Sequence, residues 1–358
     1  MGKAHSVAMS AVAAVFDTRL RPTLETICTT SEQGAAEKAR QFGFARSTSD
    51  WRILVDDPKV EAVVIASPQE THRDIATAAM QRGKPVLCEK PLGRGLGDSR
   101  AMTDLAEQSG CVNMTAFNYI RTPGSQLARQ IIGNGEIGDI TFFRGEHTED
   151  FLADPRSPSN WRTRGRSNGS MGDLAPHIIN ASLSLVGPIA SLVAEIETVH
   201  AVRPSPEGDE AVTNDDQAQL ICRFDRGAMG SLFISRVATG RKMGYAYEIF
   251  GTQGAIRFDQ EDQNAVWLYK GDAPADRQGF TKILTGPLHP DYQPFCLGPG
   301  HGTGYQDQII IEARDFLEAI ADGTPRWPTF RDGMLVNQVI AAAWLSHDER
   351  RWVDVHTV

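Results

Sequence analysis

The order of strand-like and helix-like segments in the first third of the chain restricts its fold more than any other feature. Short apolar runs such as AVVIA alternate with longer segments of good helix formers such as EQGAAEKARQF. Strands are predicted at 23–28, 62–66, 85–88 and 112–116, and helices at 31–42, 71–82 and 96–110. A β-α-β-α order with strands apolar on both faces predicts an α/β fold with a doubly wound parallel sheet.

The pattern changes after about residue 119, where a long polar loop precedes several strands in meander order. The elements predicted here are helices at 125–134, 173–186, 312–321 and 332–346, and strands at 140–146, 189–198, 216–224, 228–236, 246–251, 255–259 and 265–269. Short turns between consecutive strands are typical of an antiparallel sheet. The sequence therefore predicts two domains, 1–118 and 119–358, the second an α+β domain with an open, mainly antiparallel sheet.

Composition disfavours several classes of protein. The chain of 358 residues is 41% hydrophobic and carries a net charge of −9, which disfavours nucleic acid or an anionic membrane as a partner. Its apolar runs are too short for a membrane span, and we expect no signal peptide. The five cysteines lack C-x-x-C spacing, so neither a disulfide framework nor a metal site is predicted, and a cytoplasmic location is expected.

The segment CEKPLG, at 88–93, follows a strand that is predicted to be parallel. In an open α/β sheet the carboxyl ends of the strands line the ligand crevice. Glu89 and Lys90 are therefore candidates for contact with a ligand, and Pro91 stiffens the turn. The alternative is a solvated surface loop.

The segment GSMGDLAPHIIN, at 169–180, places Asp173 and His177 four residues apart at a predicted helix start. That spacing puts both side chains on one helix face, where an aspartate can orient an imidazole and stabilise its protonated form. The alternative is that Asp173 caps the helix and His177 is a hydrogen-bonded core histidine.

The segment TAFNYIRTP, at 115–123, lies at the junction of the two predicted domains. Asn118 is a polar residue at the end of an apolar strand, where a ligand contact would be useful. The alternative is a turn residue.

Together these motifs form a specific combination. E-K-P after a strand, N-Y-x-R at the junction and G-x-x-G-D-x-x-x-H downstream resemble the Gfo/Idh/MocA family of NAD(P)-dependent sugar and polyol oxidoreductases. The segments EIFGTQGAIRFD and GYQDQIIIEARDFLEAI are also similar, so the resemblance covers essentially the whole chain. The WR pair after DPRSPSN and the segment GFTKILTGPLHP are most similar to levoglucosan-dehydrogenase-like members, and inositol dehydrogenases belong to the same family. The resemblance implies a Rossmann-type first domain.

The resemblance also implies a catalytic site made of Lys90, Asp173 and His177. Oxidation of a secondary alcohol needs a base for the hydroxyl proton, while the cofactor accepts the hydride. His177, held by Asp173, can be that base while Lys90 stabilises the alkoxide, or Lys90 can itself be the base. The sequence leaves both assignments open.

Several further residues are expected near the substrate. The predicted substrate-binding residues are Lys90, Asn118, Arg121, Arg162, Asp173, His177 and Tyr305, with His301 as a weaker candidate. Ile120 stands where the family usually has arginine, and Asn180 stands where it often has aspartate, so the substrate's identity stays open. Arg162 and His301 are alternatively loop residues, and Tyr305 is alternatively a core residue.

Cofactor contacts are expected mainly at the carboxyl ends of the first-domain strands. The predicted contacts are Gly2, Lys3, Thr29, Thr30, Ser67, Pro68, His72, Glu89, Lys90 and Asn118. In this fold an acid usually follows the second strand and binds the ribose, but Thr29 and Thr30 stand there with no arginine directly after them. NAD or NADP is therefore expected, with NAD slightly favoured. For His72, an ordinary helix N-terminal residue is the alternative.

The chain opens with MGKAHSVAMS, a helix start with no strand before it. Family members have a strand and G-x-G-x-x-G here, so Gly2 matches the third glycine of that motif. We expect Met1 to be an internal methionine of a natural protein with roughly ten more residues before it. The absent strand is central in the order 3-2-1-4-5-6, so a disturbed sheet centre and weakened cofactor binding are expected for the 358 residues.

Functions of different classes fit this sequence. The first is a dehydrogenase that acts on a sugar, a sugar derivative or a polyol, and the second is a non-catalytic nucleotide-binding regulator on the same fold. A redox-neutral NAD-dependent glycosidase lies between the two. Retention of Lys90, Asp173 and His177 favours the dehydrogenase. A homodimer or homotetramer, paired through the open sheet, is also expected.

Overall fold

The computed structural model describes residues 1–358, and these divide into two compact units. The first unit contains Met1–Arg121 and Thr303–Leu335, and the second contains Thr122–Gly302 and Val336–Val358. This division differs from the predicted domains 1–118 and 119–358, because a late segment of the chain returns to the first unit.

The first unit contains short parallel strands. They are β1 (Thr26–Cys28), β2 (Arg46–Thr48), β3 (Val63–Ile65), β4 (Val86–Glu89) and β5 (Asn113–Ala116). β1 pairs with β2, and β3, β4 and β5 form a separate ladder in that order. The two ladders are separate, with no ladder hydrogen bonds between them. β2 was not predicted because its three residues are polar and form no apolar run.

Ten α-helices occur along the chain. They are α1 (Gly2–Phe16), α2 (Glu32–Phe42), α3 (Trp51–Asp56), α4 (His72–Gln81), α5 (Leu96–Ser109), α6 (Pro123–Gly133), α7 (Ser170–Asp173), α8 (Ala175–Leu185), α9 (Tyr305–Asp322) and α10 (Phe330–Glu349). α9 packs along α1, which explains why this late segment belongs to the first unit. None of the helices is both long enough and apolar enough to span a membrane.

The core of the first unit lies between the β3–β5 ladder and the helices α4 and α5. Val63 and Val86 from the strands are buried with Ala79 of α4 and Met102 of α5. All four residues of β4 are buried, which explains the continuous apolar run in the sequence. This packing fixes the position of the residues that directly follow each strand.

The second unit is built on a nine-stranded sheet. Its strands and those of a separate hairpin are β6 (Ile140–Thr148), β7 (Ile189–Glu197), β8 (Val202–Ser205), β9 (Gly208–Ala211), β10 (Gln217–Phe224), β11 (Met229–Ser235), β12 (Gly244–Gly251), β13 (Gly254–Asp259), β14 (Ala265–Lys270), β15 (Thr281–Leu284) and β16 (Val353–Asp354). The sheet order is β15-β14-β13-β12-β6-β11-β10-β7-β16, and only β6 and β11 pair in parallel. The prediction of a mainly antiparallel sheet is confirmed. The hairpin β8–β9 was not predicted, because its strands are largely polar.

The two faces of this sheet differ in character. Phe143, Ile249 and Ile256 lie side by side on one face, where they are buried and where α6 and α8 pack. On the other face the register aligns charged and exposed apolar side chains in one row across six strands. The row contains Ile221, Ser231, Arg144, Glu248, Arg257 and Trp267.

A buried ion pair connects the polar loop before α7 to the sheet. Arg236 follows β11 and donates from Nε to Oδ1 of Asp216 at 3.0 Å. Its other nitrogens donate to the carbonyl oxygens of Arg162 (2.6 Å) and Asn168 (3.2 Å) and to Oδ1 of Asn214 (2.7 Å). The Arg236 guanidinium and the Asn214 side chain, which donates to the carbonyl oxygens of Arg162 and Gly165, together hold the loop in place.

Substitution of Arg236 tests this role. Arg236→Met leaves the Asp216 carboxylate buried without its partner, so the free energy of unfolding in urea should fall by about 3–5 kcal/mol. Arg144→Met is the matched control, because it removes an ion pair with Glu248 in which the Arg144 side chain is mostly exposed, and it should cost at most about 1 kcal/mol. Equal losses in the two variants would contradict the assigned role.

Candidate active site

The carboxyl ends of β3, β4 and β5 bring several predicted cofactor residues to one edge of the ladder. Ser67 and Pro68 follow β3, Lys90 follows β4 directly, and Asn118 follows β5. Because the three strands are parallel and in register, these residues emerge on the same side. This is the edge where open α/β sheets bind their ligands.

Glu89, the last residue of β4, is buried rather than solvated. Its Oε1 lies 2.7 Å from Nε2 of His5 in α1, and its Oε2 accepts the backbone N–H of Lys90 at 3.3 Å. Burial alone would raise the pKa of Glu89, but the bond to His5 and the charges of His5 and Lys90 outweigh it and lower the pKa. Glu89 therefore connects the first helix to the Lys90 turn.

His72 is buried beneath the same edge. Its ring nitrogens lie 3.1 Å from the carbonyl oxygen of Pro91 and 2.9 Å from that of Ser67. Burial lowers the pKa of this imidazole despite these two bonds, which favours the neutral ring. A neutral imidazole has one N–H, so His72 can donate to only one of these two carbonyls at a time, and its predicted cofactor contact stays a prediction.

Asn118 and Arg121 both contact α9. Asn118 donates to Oε1 of Gln308 at 3.0 Å. Arg121 is buried in an ion pair with Asp315 and donates to the carbonyl oxygen of Trp327 at 3.3 Å. Substrate contact by Arg121 stays a prediction, but its guanidinium already has structural partners within the first unit.

Tyr305 begins α9 and is exposed, unlike a core residue. Its hydroxyl donates to Sδ of Met1 at 3.2 Å, and its ring lies 6.3 Å from that of Tyr119. It is therefore placed beside the start of α1 within the first unit.

The start of α1 and the end of β1 fit a dinucleotide. No side chain caps α1, so the backbone N–H groups around Gly2 and Lys3 are available to an anion, and the space beside Gly2 is open. Oγ1 of Thr29 donates to the carbonyl oxygen of Ser31 at 3.1 Å, and Thr30 is exposed. These groups can hold phosphate and ribose, although no carboxylate stands in the usual ribose-binding position.

In the second unit, Asp173 and His177 do not lie on one continuous helix. α7 ends at Asp173 and α8 begins at Ala175, so the predicted helix over 173–186 is wrong at its start. Pro176 has no backbone N–H and its ring blocks an i−4 carbonyl, so a helix cannot continue through it undisturbed. His177 is buried in the first turn of α8, with its ring 5.4 Å from that of His147.

The two glycines of GSMGD are required by close packing. A Cβ at Gly169 would collide with the Asp215 carboxylate, and one at Gly172 would collide with the carbonyl oxygen of Ser167. The Asp215 carboxylate accepts hydrogen bonds from the Ser170 hydroxyl and from the Met171 N–H (2.7 Å). Burial raises the pKa of Asp215, although these bonds oppose the shift. Asp215 thus anchors the short helix that ends in Asp173.

Arg162 and Asp173 come together in the second unit. Nε of Arg162 lies 3.8 Å from Oδ2 of Asp173. The guanidinium also stacks over the ring of Trp161, 4.2 Å from its centroid, and lies 5.9 Å from that of Phe151. Both aromatic residues are exposed. His301, by contrast, is exposed in a loop and packs against Gly298.

The buried acid–base residues that carried no predicted catalytic or binding role include His5, Asp215 and Glu312. The sequence signals them unequally. Glu312 directly follows three isoleucines, and His5 lies in the opening motif MGKAHS, whereas Asp215 in TNDDQ resembles any loop residue. Their importance depends on tertiary contacts.

Comparisons with known proteins agree with this architecture. The description "Oxidoreductase family, NAD-binding Rossmann fold" matches residues 1–117, and "GFO/IDH/MocA C-terminal domain" matches residues 125–257. Levoglucosan dehydrogenase of Pseudarthrobacter phenanthrenivorans is 39% identical over 99% of this chain and 95% of its own length. scyllo-Inositol 2-dehydrogenase (NAD(+)) of Bacillus subtilis is 28% identical over 81% of this chain and 77% of its own length.

Solved structures of NAD-linked oxidoreductases also superpose on this chain. Levoglucosan dehydrogenase in complex with NADH and levoglucosan superposes with a TM-score of 0.96 at 40% identity, covering 99% of this chain and 96% of that one. An NAD-binding oxidoreductase from Klebsiella pneumoniae superposes with a TM-score of 0.95 at 36% identity, with the same coverage. The predicted family and the predicted class of NAD-linked oxidoreductase are confirmed. The chain belongs to the Gfo/Idh/MocA family of oxidoreductases, with an NAD-binding Rossmann domain and the family's C-terminal domain.

Proposed function

We propose that this protein is an NAD-dependent dehydrogenase that oxidises a secondary hydroxyl of a pyranose sugar, with levoglucosan or a closely similar sugar as substrate. The observation that carries the proposal is the match, over 99% of the chain, to a levoglucosan dehydrogenase solved with NADH and levoglucosan. The nicotinamide cofactor, when bound, accepts the hydride. The chain's own residues bind the sugar, orient it and move the proton.

Lys90, Asp173 and His177 are the proposed catalytic residues. Lys90 follows β4 at the ligand-binding edge, where its ammonium can stabilise an oxygen that becomes negatively charged. A buried imidazole such as His177 can take the hydroxyl proton, and Asp173 can favour the protonated ring. Exchange of roles between Lys90 and His177 is the alternative within the same proposal.

The aromatic side chains beside Asp173 favour a sugar over a small hydroxy acid. Trp161 and Phe151 expose 57% and 40% of their surfaces, and such faces suit the apolar C–H face of a pyranose ring. Arg162, which stacks on them and lies near Asp173, offers donors to sugar hydroxyls. We propose these residues as the substrate platform.

We also propose that the protein is cytoplasmic and self-associates as a homodimer or homotetramer. Its five cysteines are free, as is usual in a reducing compartment. The open face of the nine-stranded sheet exposes Ile221, Met229 and Trp267, and such apolar groups favour contact with a second copy.

The nucleotide preference can be tested separately. Hydroxyls at Thr29 and Thr30 can bind a ribose, but no cation follows them directly, and Lys38 donates to Gln41 instead. NADH should therefore bind more tightly than NADPH, by about tenfold or more, in a fluorescence titration. Tighter binding of NADPH would contradict the preference for NAD.

Turnover tests the function itself. The protein is mixed with NAD⁺ and, in turn, levoglucosan, glucose, myo-inositol and glucose 6-phosphate, and the absorbance of reduced nicotinamide is followed. Net reduction is expected with levoglucosan. Nucleotide binding without turnover on any sugar would favour a regulator, and sugar cleavage without net reduction would favour a glycosidase.

Lys90→Ala tests the catalytic assignment. Loss of the ammonium removes charge stabilisation but no core packing, so kcat should fall by about 10²–10³-fold or more while the unfolding midpoint stays near that of the wild type. Lys59→Ala, at an exposed loop position, is the matched control and should keep full activity. Near-normal turnover by Lys90→Ala would contradict the assignment.

A further inference from the structure

Three titratable residues from distant parts of the chain are buried together beneath the Lys90 turn. His5 comes from α1, Glu89 ends β4, and Glu312 lies in the middle of α9. Their exposed fractions are only 3%, 6% and 1%. We call these three residues the buried acid–base cluster.

The cluster has one tight bond and three buried atoms without a partner. Nε2 of His5 lies 2.7 Å from Oε1 of Glu89. Nδ1 of His5 and both carboxyl oxygens of Glu312 have no hydrogen-bond partner in the protein. Burial of unpaired polar atoms costs free energy, and the cost is greatest for an ionised group. The stability of the fold therefore depends on which of these three side chains carry a proton.

The charged groups around Glu312 influence which residues of the cluster are protonated. The charged groups around the cluster are His5 and the α-amino group of α1, Glu89 and Lys90 of the β4 turn, Arg121 after β5, and Asp315 on α9 itself. Burial raises the pKa of Glu312 to about 7, and Glu89 adds to this, while His5 and Arg121 oppose it. Burial lowers the pKa of His5, but its bond to Glu89 and the charges of Glu89 and Glu312 raise it overall.

The cluster is connected to the candidate catalytic lysine by one backbone bond. Oε2 of Glu89 accepts the N–H of Lys90, while its Oε1 contacts the imidazole of His5. Any movement or charge change at Glu89 therefore reaches the Lys90 turn. When Glu312 is protonated, the ion pair of His5 and Glu89 is electrically balanced. Loss of that proton adds one unbalanced negative charge beneath the turn.

We propose that His5 and Glu312 are positioning residues of the proposed dehydrogenase: a protonated Glu312 leaves the ion pair of His5 and Glu89 electrically balanced, and that pair holds the Lys90 turn in place. The effect on turnover rests on the proposed function, whereas the buried proton does not. Glu312→Gln is the informative variant, because it keeps the shape of the neutral acid but cannot release a proton. Glu318→Gln, on the same helix at a surface ion pair with Arg19, is the matched control.

The first measurement is the midpoint of thermal unfolding against pH, without substrate or nucleotide. The folded wild type should keep the Glu312 proton up to about pH 7, while the unfolded chain releases it near the ordinary pKa of 4.5. The wild type should therefore lose several degrees relative to Glu312→Gln as the pH rises from about 4.5 to about 7, and the difference should be constant above that. If the difference in unfolding midpoint between the wild type and Glu312→Gln does not change with pH, Glu312 holds no buried proton, whatever the enzyme's activity.

A second measurement uses the wild type alone, so it does not depend on whether the variant folds. In the NMR spectrum of isotope-labelled histidine, the pKa of His5 should lie above its ordinary value of 6.5. A neutral His5 at about pH 6 would overturn the proposed charge balance.

The third measurement tests positioning through kcat against pH, with the sugar that gives turnover. The ratio of wild-type kcat to that of Glu312→Gln should fall by at least about twofold between about pH 6 and pH 8, whereas Glu318→Gln should follow the wild type. A constant ratio, together with a confirmed buried proton, would overturn the positioning role and leave the dehydrogenase assignment standing.

Discussion

Parallel pairing of β3, β4 and β5 is the constraint on which the candidate site depends. Strands that run side by side in one direction must end at one edge, so the turns that follow them converge. Two buried side chains, those of His72 and Glu89, contact the turns at this edge. The buried imidazole of His72 lies within hydrogen-bond distance of carbonyl oxygens in the turns after β3 and β4, and Glu89 bonds to His5 of α1. The backbone N–H of Lys90 thus donates to the buried Glu89 carboxylate.

In the second unit, a helix break and not a set of strand ends positions the proposed catalytic residues. A broken helix, anchored by Asp215 and interrupted at Pro176, presents Asp173 beside Arg162 and buries His177 against His147. Two glycines permit the close approach that this arrangement requires. Buried carboxylates recur in both units, and in each case the carboxylate orients backbone next to a proposed catalytic side chain.

Hydrophobic periodicity was sufficient to predict most of the fold. Apolar runs and turns located the buried strands, and the alternation in the second half predicted the antiparallel sheet. The sequence could not show the parallel pairing of β6 with β11, since strand pairing across a long insertion leaves no local pattern. The return of 303–335 to the first unit was missed for the same reason, because it depends on the packing of α9 against α1.

The candidate site could be predicted where a motif carries it and not where tertiary contacts create it. Lys90, Asp173 and His177 were found from short motifs, although the helix break between the last two was missed. The sequence placed Arg121 near the substrate, but only the structure shows its ion pair with Asp315. The roles of His5 and Glu312 depend on burial and on neighbours from other elements, which no local pattern reveals.

Isotope transfer is the most direct test of whether a hydride passes from a sugar carbon to the nucleotide in the proposed reaction. Levoglucosan carrying deuterium on its hydroxyl-bearing ring carbons would be incubated with the protein and NAD⁺, and the reduced nucleotide would be analysed by mass spectrometry. We expect one deuterium in each molecule of NADH formed. Unlabelled NADH, or conversion of the sugar with no reduced nucleotide, would contradict it.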